Sequence, residues 1–274
     1  MKGAILDLDG VLKRGSEPIP GSPEAVADMI DAGLSICYLT NNSTRTRGEV
    51  RLSLKGLGYP EAPVVTSAYG AARYIKEKLG LSRCLVIGER GLMHELDRIG
   101  HEAVPAGEGR GIAPLEKSVW MKDVGEPLWD MEVDCVVAGL DRTLTYTRIA
   151  DALWAIRNGA DFIATNSDPT LPWEEGKVLP GAGTIISALE TCSGVKAEVV
   201  GKPNPYTTRL AAMELDLEPE EIIMIGDRVD TDMAAGRRAG CRVAMVLSGD
   251  MEDPKQEDLK VYSNLKELTD SLLK

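Results

Sequence analysis

The chain has 274 residues and a formal net charge of -12, because 43 acidic residues outnumber 31 lysines and arginines. Surfaces that bind nucleic acid or anionic membranes need positive potential, so this charge argues against both as general partners. It permits a small phosphorylated ligand, provided that the binding site supplies its own cations. The hydrophobic content of 43% is ample for a packed core, and the length suits one large domain or two ordinary ones.

The sequence shows no sign of export or of a membrane segment. The apolar run after Lys2 ends at Asp7, which is too short for a signal peptide, and no run approaches the length of a membrane span. The five cysteines lack the paired spacing of a zinc site or a disulfide framework, so we expect buried free thiols. A reducing cytoplasm is the expected location.

The first 80 residues alternate between strand-like and helix-like segments. Residues 3–6 are a short apolar run that predicts a buried strand, and Asp7 and Asp9 follow it directly. Further segments then alternate between helix and strand, beginning and ending with a helix: 22–32, 34–39, 45–57, 64–65 and 68–79. This order predicts a parallel sheet with crossover helices, and therefore an α/β fold.

Residues 81–180 continue the alternation with a separate set of elements, of about the right size for a small α/β domain. Strands are predicted at 84–87, 102–104, 135–138 and 162–164, and helices at 91–99 and 145–157. The Gly-rich residues 107–114 and the Pro-rich residues 171–180 are predicted to be loops.

The alternation resumes for a third time after residue 180. Helices are predicted at 184–191, 205–215 and 233–239, and strands at 197–200, 221–225 and 242–247. A last helix ending near residue 273 is predicted, capped by Ser263 or Asn264.

Polar residues follow four of the predicted strands. In an open parallel sheet, ligands bind outside the carboxyl ends of the strands. Each group alone has an ordinary explanation as a turn, a helix cap or a surface lysine, but together they suit one chemistry. The groups are Asp7 with Asp9, then Thr40, Asn41 and Asn42, then Lys202, and finally Asp227 with Asp232.

That chemistry is phosphoryl transfer. Several carboxylates in one place need a hard cation, and Mg²⁺ prefers carboxylate oxygens, with Asp7 and Asp227 as the natural ligands. Mg²⁺ and Lys202 would neutralise the charge that keeps a carboxylate away from a phosphate dianion. Asp7 would then attack phosphorus and form an aspartyl-phosphate, and Asp9 would protonate the leaving oxygen and later take a proton from water.

The second polar group supplies donors for the phosphoryl oxygens. Thr40 offers a hydroxyl, Asn41 offers a side-chain amide, and the backbone N–H groups around Asn42 point the same way in such a turn. We therefore predict that these three residues, together with Lys202, bind phosphate.

Four stretches resemble, in order and spacing, the four motifs of the haloacid dehalogenase (HAD) superfamily. They are Asp7-Leu-Asp9-Gly-Val, Thr40-Asn41-Asn42-Ser43, Lys202, and Gly226-Asp227-Arg-x-x-Thr-Asp232. The Gly-Lys-Pro around Lys202 and the stretch Ala164-Thr-Asn-x-Asp168 resemble one branch in particular. That branch holds nitrophenyl phosphatase-like, phosphoglycolate phosphatase-like and pyridoxal phosphate phosphatase-like enzymes. The resemblance covers essentially the whole chain but does not specify the substrate.

The resemblance implies a Rossmann-like parallel-sheet core, formed by residues 1–80 and 181–274, with a smaller α/β cap domain inserted at 81–180. It also implies Mg²⁺ bound by Asp7, the backbone carbonyl of Asp9 and Asp227, with Asp232 as a supporting carboxylate. By their position in the cap, Asn166, Asp168 and residues 171–177 are candidates for contacting the substrate's leaving group. Trp173 in this loop could stack on the leaving group or pack in the core. A homodimer through the cap is a further possibility in such proteins.

Other functions are weaker matches. A phosphomutase or phosphotransferase would use the same core and differ in what receives the phosphoryl group, which depends on how well the cap excludes water. A phospho-receiver module is about half this length, and a non-catalytic binding protein would be expected to lack Asp7 or Asp9. True dehalogenases lack the second acid, so Asp9 favours phosphatase chemistry. The only histidines, His94 and His101, lie in the predicted cap and give a catalytic triad little to build on.

Overall fold

The computed structural model describes residues 1–107, 131–172, 177–247 and 258–274. Its strands are β1 (Gly3–Asp7), β2 (Lys13–Arg14), β3 (Glu17–Pro18), β4 (Ser35–Thr40), β5 (Val64–Thr66), β6 (Arg83–Ile87), β7 (Glu102–Pro105), β8 (Cys135–Ala138), β9 (Asp161–Ala164), β10 (Thr170–Pro172), β11 (Val178–Pro180), β12 (Glu198–Val199), β13 (Ile222–Gly226), β14 (Arg242–Val246) and β15 (Lys260–Tyr262).

The helices alternate with these strands along much of the chain. They are α1 (Ser22–Asp31), α2 (Arg47–Gly56), α3 (Ser67–Leu79), α4 (Arg90–Ile99), α5 (Tyr146–Arg157), α6 (Ala182–Ser193), α7 (Tyr206–Glu214), α8 (Ala234–Ala239) and α9 (Leu265–Leu272). None of the described helices is long and apolar enough to cross a membrane.

The core sheet has six parallel strands in the order β15-β14-β13-β1-β4-β5. β1 lies at the centre between β13 and β4, and all five of its residues are buried. Its continuous apolar sequence is what a parallel strand covered on both faces requires. Helices α1 and α9 pack on the face that carries Ala4 and Leu6, and α7 packs on the opposite face with Ile5. The carboxyl ends of β1, β4 and β13 therefore meet at one edge.

A second parallel sheet has the order β12-β9-β8-β6-β7. α5 and α6 cover one of its faces, and α4 and α3 cover the other. These two sheets confirm the predicted α/β class, with a parallel core and a smaller inserted α/β domain.

The predicted end of the inserted domain at residue 180 is wrong, because α6 and β12 belong to the second sheet. The apolar face of α6 packs against this sheet through Ile185, Ile186 and Leu189, and β12 pairs with β9. The chain returns to the core near residue 200. Periodicity along the sequence locates a helix, but it does not show which of two sheets the helix will cover.

Three short elements were not predicted. Residues 171–180, expected to be a loop, contribute to the antiparallel hairpin of β10 and β11. A second hairpin, of β2 and β3, follows directly after Asp9, and β15 adds a strand at the edge of the core sheet. Most of the predicted loop at 107–114 lies outside the described residues. Four cysteines are buried as expected, whereas Cys192 is exposed.

An ion pair joins the two domains away from the strand ends. Glu95 on α4 of the cap is 1% exposed and accepts a hydrogen bond from the backbone N–H of Arg47 at 3.0 Å. The Arg47 guanidinium lies 3.4 Å from the same carboxylate and stacks on the ring of Tyr69 at 3.5 Å. Arg47 begins α2, so this contact fixes the cap against the helix that follows the second polar group.

We expect Glu95→Ala to lower the free energy of unfolding by about 3 kcal/mol, because the Arg47 charge loses its buried partner. Among the described carboxylates, Arg47 then keeps only the longer 3.7 Å contact with Glu214. Glu61→Ala is the matched control, since Glu61 and its partner Lys55 are both 64% exposed and such pairs contribute less than about 1 kcal/mol. Urea denaturation of both variants measures the difference. Equal losses would show that the Glu95 pair does not hold the domains together.

Candidate active site

Lys202 is buried between two carboxylates at the carboxyl edge of the core sheet. Its Nζ lies 2.6 Å from Asp7 Oδ1 and 2.6 Å from Asp232 Oδ1. Asp7 is the last residue of β1, and Asp232 lies in the π-helical turn that follows β13. A buried lysine needs such partners, because an unpaired charge away from water is strongly disfavoured.

Asp227 completes a cluster of three acids. It follows β13 directly, and single carboxylate oxygens of Asp7, Asp227 and Asp232 all lie within 4.8 Å of one another. Gly10 has φ +82°, and a Cβ there would lie 2.0 Å from Asp227 Oδ2. Only glycine lets the turn after Asp9 pass this close to the Asp227 carboxylate.

This donor set fits a hard divalent cation. Oxygen ligands from two or three carboxylates, completed by water and phosphate oxygens, are what Mg²⁺ binds. Asp7 and Asp227 are the residues that would hold the ion. Asp232 is already engaged on both oxygens, since Oδ1 accepts from Lys202 and Oδ2 accepts from the Arg228 backbone N–H at 3.1 Å. These contacts favour the supporting role predicted for it.

The cluster shifts the proton affinities of its members. Burial raises the pKa of Asp7 well above its usual range; Lys202 opposes this shift, and the neighbouring charges of Asp232 and Asp227 add to it. Burial, followed by the charge of Asp232, raises the pKa of Asp227 to about 7. Burial alone would lower the pKa of Lys202, but Asp232 and Asp7 outweigh it, so the net shift is upward and Lys202 stays charged.

Asp9 lies outside this cluster and at the surface. Its side chain is 49% exposed and forms an ion pair with Lys13 in the β2 strand. It lines a small cavity with Thr40, Asn42 and Arg45. The structure therefore places the predicted acid beside Thr40 and Asn42, which are predicted to bind phosphate. Its carboxylate is turned towards Lys13, a partner that the sequence analysis missed.

The second polar group, Thr40, Asn41 and Asn42, has a more structural role than predicted. Thr40 is buried at the end of β4, and its Oγ1 accepts from the Asn42 N–H at 3.1 Å. Asn41 Oδ1 accepts from the Lys202 N–H at 2.9 Å, and Asn41 Nδ2 donates to the Lys202 carbonyl at 3.0 Å. Asn41 thus holds the backbone of Lys202 in place. Phosphate binding by these three residues stays a prediction.

The predicted cap residues do reach the core. Asn41 Nδ2 also donates to Asp168 Oδ2 at 2.9 Å, and Asn166 Nδ2 donates to the same oxygen at 2.8 Å. The other oxygen of Asp168 lies 3.8 Å from the Arg228 guanidinium. Asp168 therefore connects the cap to two core motifs. Trp173 and residues 174–176 of the predicted substrate loop lie outside the described residues.

Comparison with known proteins agrees with this geometry. Two family models match the chain: haloacid dehalogenase-like hydrolase over residues 4–102 and HAD-hydrolase-like over residues 199–272. The glycerol-3-phosphate phosphatase of Gallus gallus is 36% identical over 253 residues, which are 89% of this chain and 79% of that protein.

The chain belongs to the haloacid dehalogenase-like hydrolases.

Two solved structures of similar proteins match this chain across both the core and the cap. The p-nitrophenyl phosphatase from Archaeoglobus fulgidus has a TM-score of 0.84 and 29% identity, with 98% of each chain covered. The glycerol phosphate phosphatase from Mycobacterium tuberculosis, in complex with calcium, has a TM-score of 0.80 and 29% identity, covering 97% of this chain and 74% of that one. The resemblance to the nitrophenyl phosphatase-like branch is therefore confirmed.

The core and cap of this hydrolase border an open cleft of about 580 Å³ next to the second motif. The core contributes Asn42 and its neighbours, and the cap contributes the residues after β6 and β8. The described residues that line it are Asn42, Thr44, Arg45, Glu49, Glu89, Arg90, Leu140, Arg142 and Leu171. Leu171 belongs to the predicted substrate loop, whereas the arginines were not predicted.

We expect the metal-free protein to lose stability as the pH rises from about 4 to about 7. An acid whose pKa is raised on folding binds more protons in the folded state, so the free energy of unfolding falls as pH rises from the unfolded pKa to the folded one. For Asp227 this window runs from about 4 up to about 7, and the full effect is about 4 kcal/mol.

The measurement is urea denaturation in EDTA at several pH values, for wild type and Asp227→Asn. The variant has no carboxylate to titrate, so its pH slope should be flatter over this window. Saturating Mg²⁺ should flatten or reverse the wild-type slope, since metal binding needs ionised ligands. Identical slopes for the two metal-free proteins would contradict the assignment of a raised pKa to Asp227.

Proposed function

We propose that this HAD-family hydrolase is a Mg²⁺-dependent phosphatase that hydrolyses a small phosphate monoester through an aspartyl-phosphate on Asp7. The observation that carries the proposal is the Asp7–Lys202–Asp232 arrangement, with Asp227 beside it. A nucleophilic carboxylate, a buried cation and a metal-binding acid lie together at the edge where ligands bind. The two phosphatase structures share this fold over nearly the whole chain.

Asp7 acts as the nucleophile because of where its oxygens lie. Oδ1 is held by Lys202 at 2.6 Å, which orients the carboxylate and leaves Oδ2 to attack phosphorus. Lys202 also offsets the negative charge of the incoming phosphate, which would otherwise repel the carboxylate. When bound, Mg²⁺ supplies the remaining charge neutralisation at the phosphoryl group.

Asp9 acts as acid and then base. It lies two residues after the nucleophile and lines the cavity that continues from Thr40 and Asn42, so a leaving oxygen there is within its reach. It first donates a proton to that oxygen, and then takes one from the water that attacks the aspartyl-phosphate. To do so it must exchange its contact with Lys13 for one with the substrate.

One alternative and two further predictions from the sequence also stay open. The alternative is transfer of the phosphoryl group to an acceptor other than water, and the predictions are a homodimer through the cap and a cytoplasmic location. The open cleft between core and cap gives water access in this conformation, which supports hydrolysis over transfer.

The test is phosphate release from p-nitrophenyl phosphate and from glycerol 3-phosphate, with and without Mg²⁺. We expect Asp7→Asn to abolish turnover, by about a thousandfold or more, since the nucleophile is lost. Asp9→Asn should slow it by about 10²–10⁴-fold, the usual contribution of general acid–base catalysis. Asp97→Asn, an exposed change on α4, is the control and should leave the rate unchanged.

Acid quench of the wild-type reaction with labelled substrate, followed by peptide mapping, should locate the phosphoryl group on Asp7. Phosphate release that persists undiminished in Asp7→Asn would rule out the aspartyl-phosphate route. Activity unaffected by EDTA would rule out the metal requirement.

A further inference from the structure

Among the described residues, three arginines and two glutamates line the cleft between core and cap, and both glutamates are already paired. Glu89 accepts from Arg142 through both of its oxygens, with both side-chain contacts at 2.7 Å. Glu49 forms an ion pair with Arg90. It also accepts a hydrogen bond from the Thr46 N–H at 2.9 Å, as part of the capping box at the N-terminus of helix α2. Each glutamate thus has its own arginine.

Arg45 is the cation left over. Among the residues that the structure describes, it forms no hydrogen bond and no ion pair. It lies two residues after the second motif and is exposed at the cleft wall. The backbone here is firmly held, because the Gly91 N–H donates to the Thr44 carbonyl at 3.1 Å. A Cβ on Gly91 would lie 2.5 Å from the Arg45 backbone nitrogen. The backbone of Arg45 is therefore held in place, and only its side-chain torsions can change the position of the guanidinium.

The position of Arg45 relates it to the leaving group. It lines both the small cavity beside Asp9 and the large cleft under the cap, and Asn42 is the only other described residue that lines both. If Asp9 protonates the leaving oxygen, the rest of the leaving group extends from Asp9 into the cleft. It must then pass Arg45.

We propose that Arg45 determines specificity by binding a negative charge on the leaving group, so that the preferred substrates are phosphate monoesters carrying a carboxylate or a second phosphate. This proposal rests on the proposed phosphatase function. A guanidinium presents paired N–H donors that match a carboxylate or phosphate, and such charge-assisted bonds are about twice as strong as neutral ones. The paired Arg90 and Arg142 have their charge offset by Glu49 and Glu89, so they attract an anion less.

The test compares two substrates with the same carbon skeleton. 3-Phosphoglycerate carries a carboxylate where glycerol 3-phosphate carries a hydroxymethyl group. For Arg45→Met we expect kcat/KM on 3-phosphoglycerate to fall by about 10–100-fold, mainly through KM, because a charge-assisted contact to the bound substrate is lost. The value for glycerol 3-phosphate should change by less than about threefold, since a neutral group forms the weaker bond.

Arg51→Met is the matched control. Arg51 is exposed on the same helix that Arg45 precedes, and it does not line the described cleft. It removes the same charge from the same region and should change neither substrate's kcat/KM. A general electrostatic effect of the lost charge would move both variants alike.

A binding measurement separates this proposal from the phosphatase function. In an Asp7→Asn background, calorimetry with Mg²⁺ present should show that Arg45→Met weakens 3-phosphoglycerate binding about 10–100-fold and leaves glycerol 3-phosphate binding nearly unchanged. Equal losses on both ligands, no loss on either, or no detectable binding of 3-phosphoglycerate would overturn the role of Arg45. A wild-type protein that binds both ligands but releases phosphate from neither would overturn the phosphatase function alone.

Discussion

The buried contact of Lys202 with Asp7 and Asp232 is the interaction on which the site depends. One ammonium group sits between two carboxylates in a place with little access to water, and a third acid, Asp227, lies beside them. Lys202 opposes the rise in the pKa of Asp7 that burial and the neighbouring acids cause. It thus favours the ionised form of Asp7 and orients its carboxylate, which a nucleophilic carboxylate requires.

The position of Lys202 is itself held by the second polar group. Asn41 accepts from the Lys202 N–H and donates to its carbonyl, in the manner of a neighbouring strand. A Cβ at Gly201 would lie 2.7 Å from Asn41 Oδ1 and 2.4 Å from the Thr165 carbonyl. The loop before Lys202 therefore passes between a core residue and a cap residue with no room for a side chain. Two motifs that are about 160 residues apart become one rigid unit by this close approach.

The cap is joined to the same loops that form the site. Asp168 accepts from Asn41, the Thr44 carbonyl accepts from Gly91, and Glu95 pairs with Arg47. All three core partners lie within seven residues of one another, after β4. A movement of the cap would therefore first displace the second motif and Arg45. This is the region where the leaving group is expected to lie. Under the proposed function, this geometry would couple substrate selection by the cap to the arrangement of the core residues.

Local sequence determined much of this protein. The apolar run before Asp7 had to be a buried strand, and the period of strands and helices required a parallel sheet, whose polar strand ends then collect Asp7, Thr40 and Asp227 at one edge. Lys202 follows β12 of the second sheet and meets Asp7 only through the tertiary fold. Tertiary structure decided the rest. Three outcomes depend on distances between segments that are far apart in the chain or free to turn. They are the sheet that α6 covers, the pairing of Asp9 with Lys13, and the lack of a glutamate partner for Arg45 alone among the three described cleft arginines. Pattern and propensity act over a few residues, whereas these outcomes are set by packing between elements, and only the folded chain contains that information.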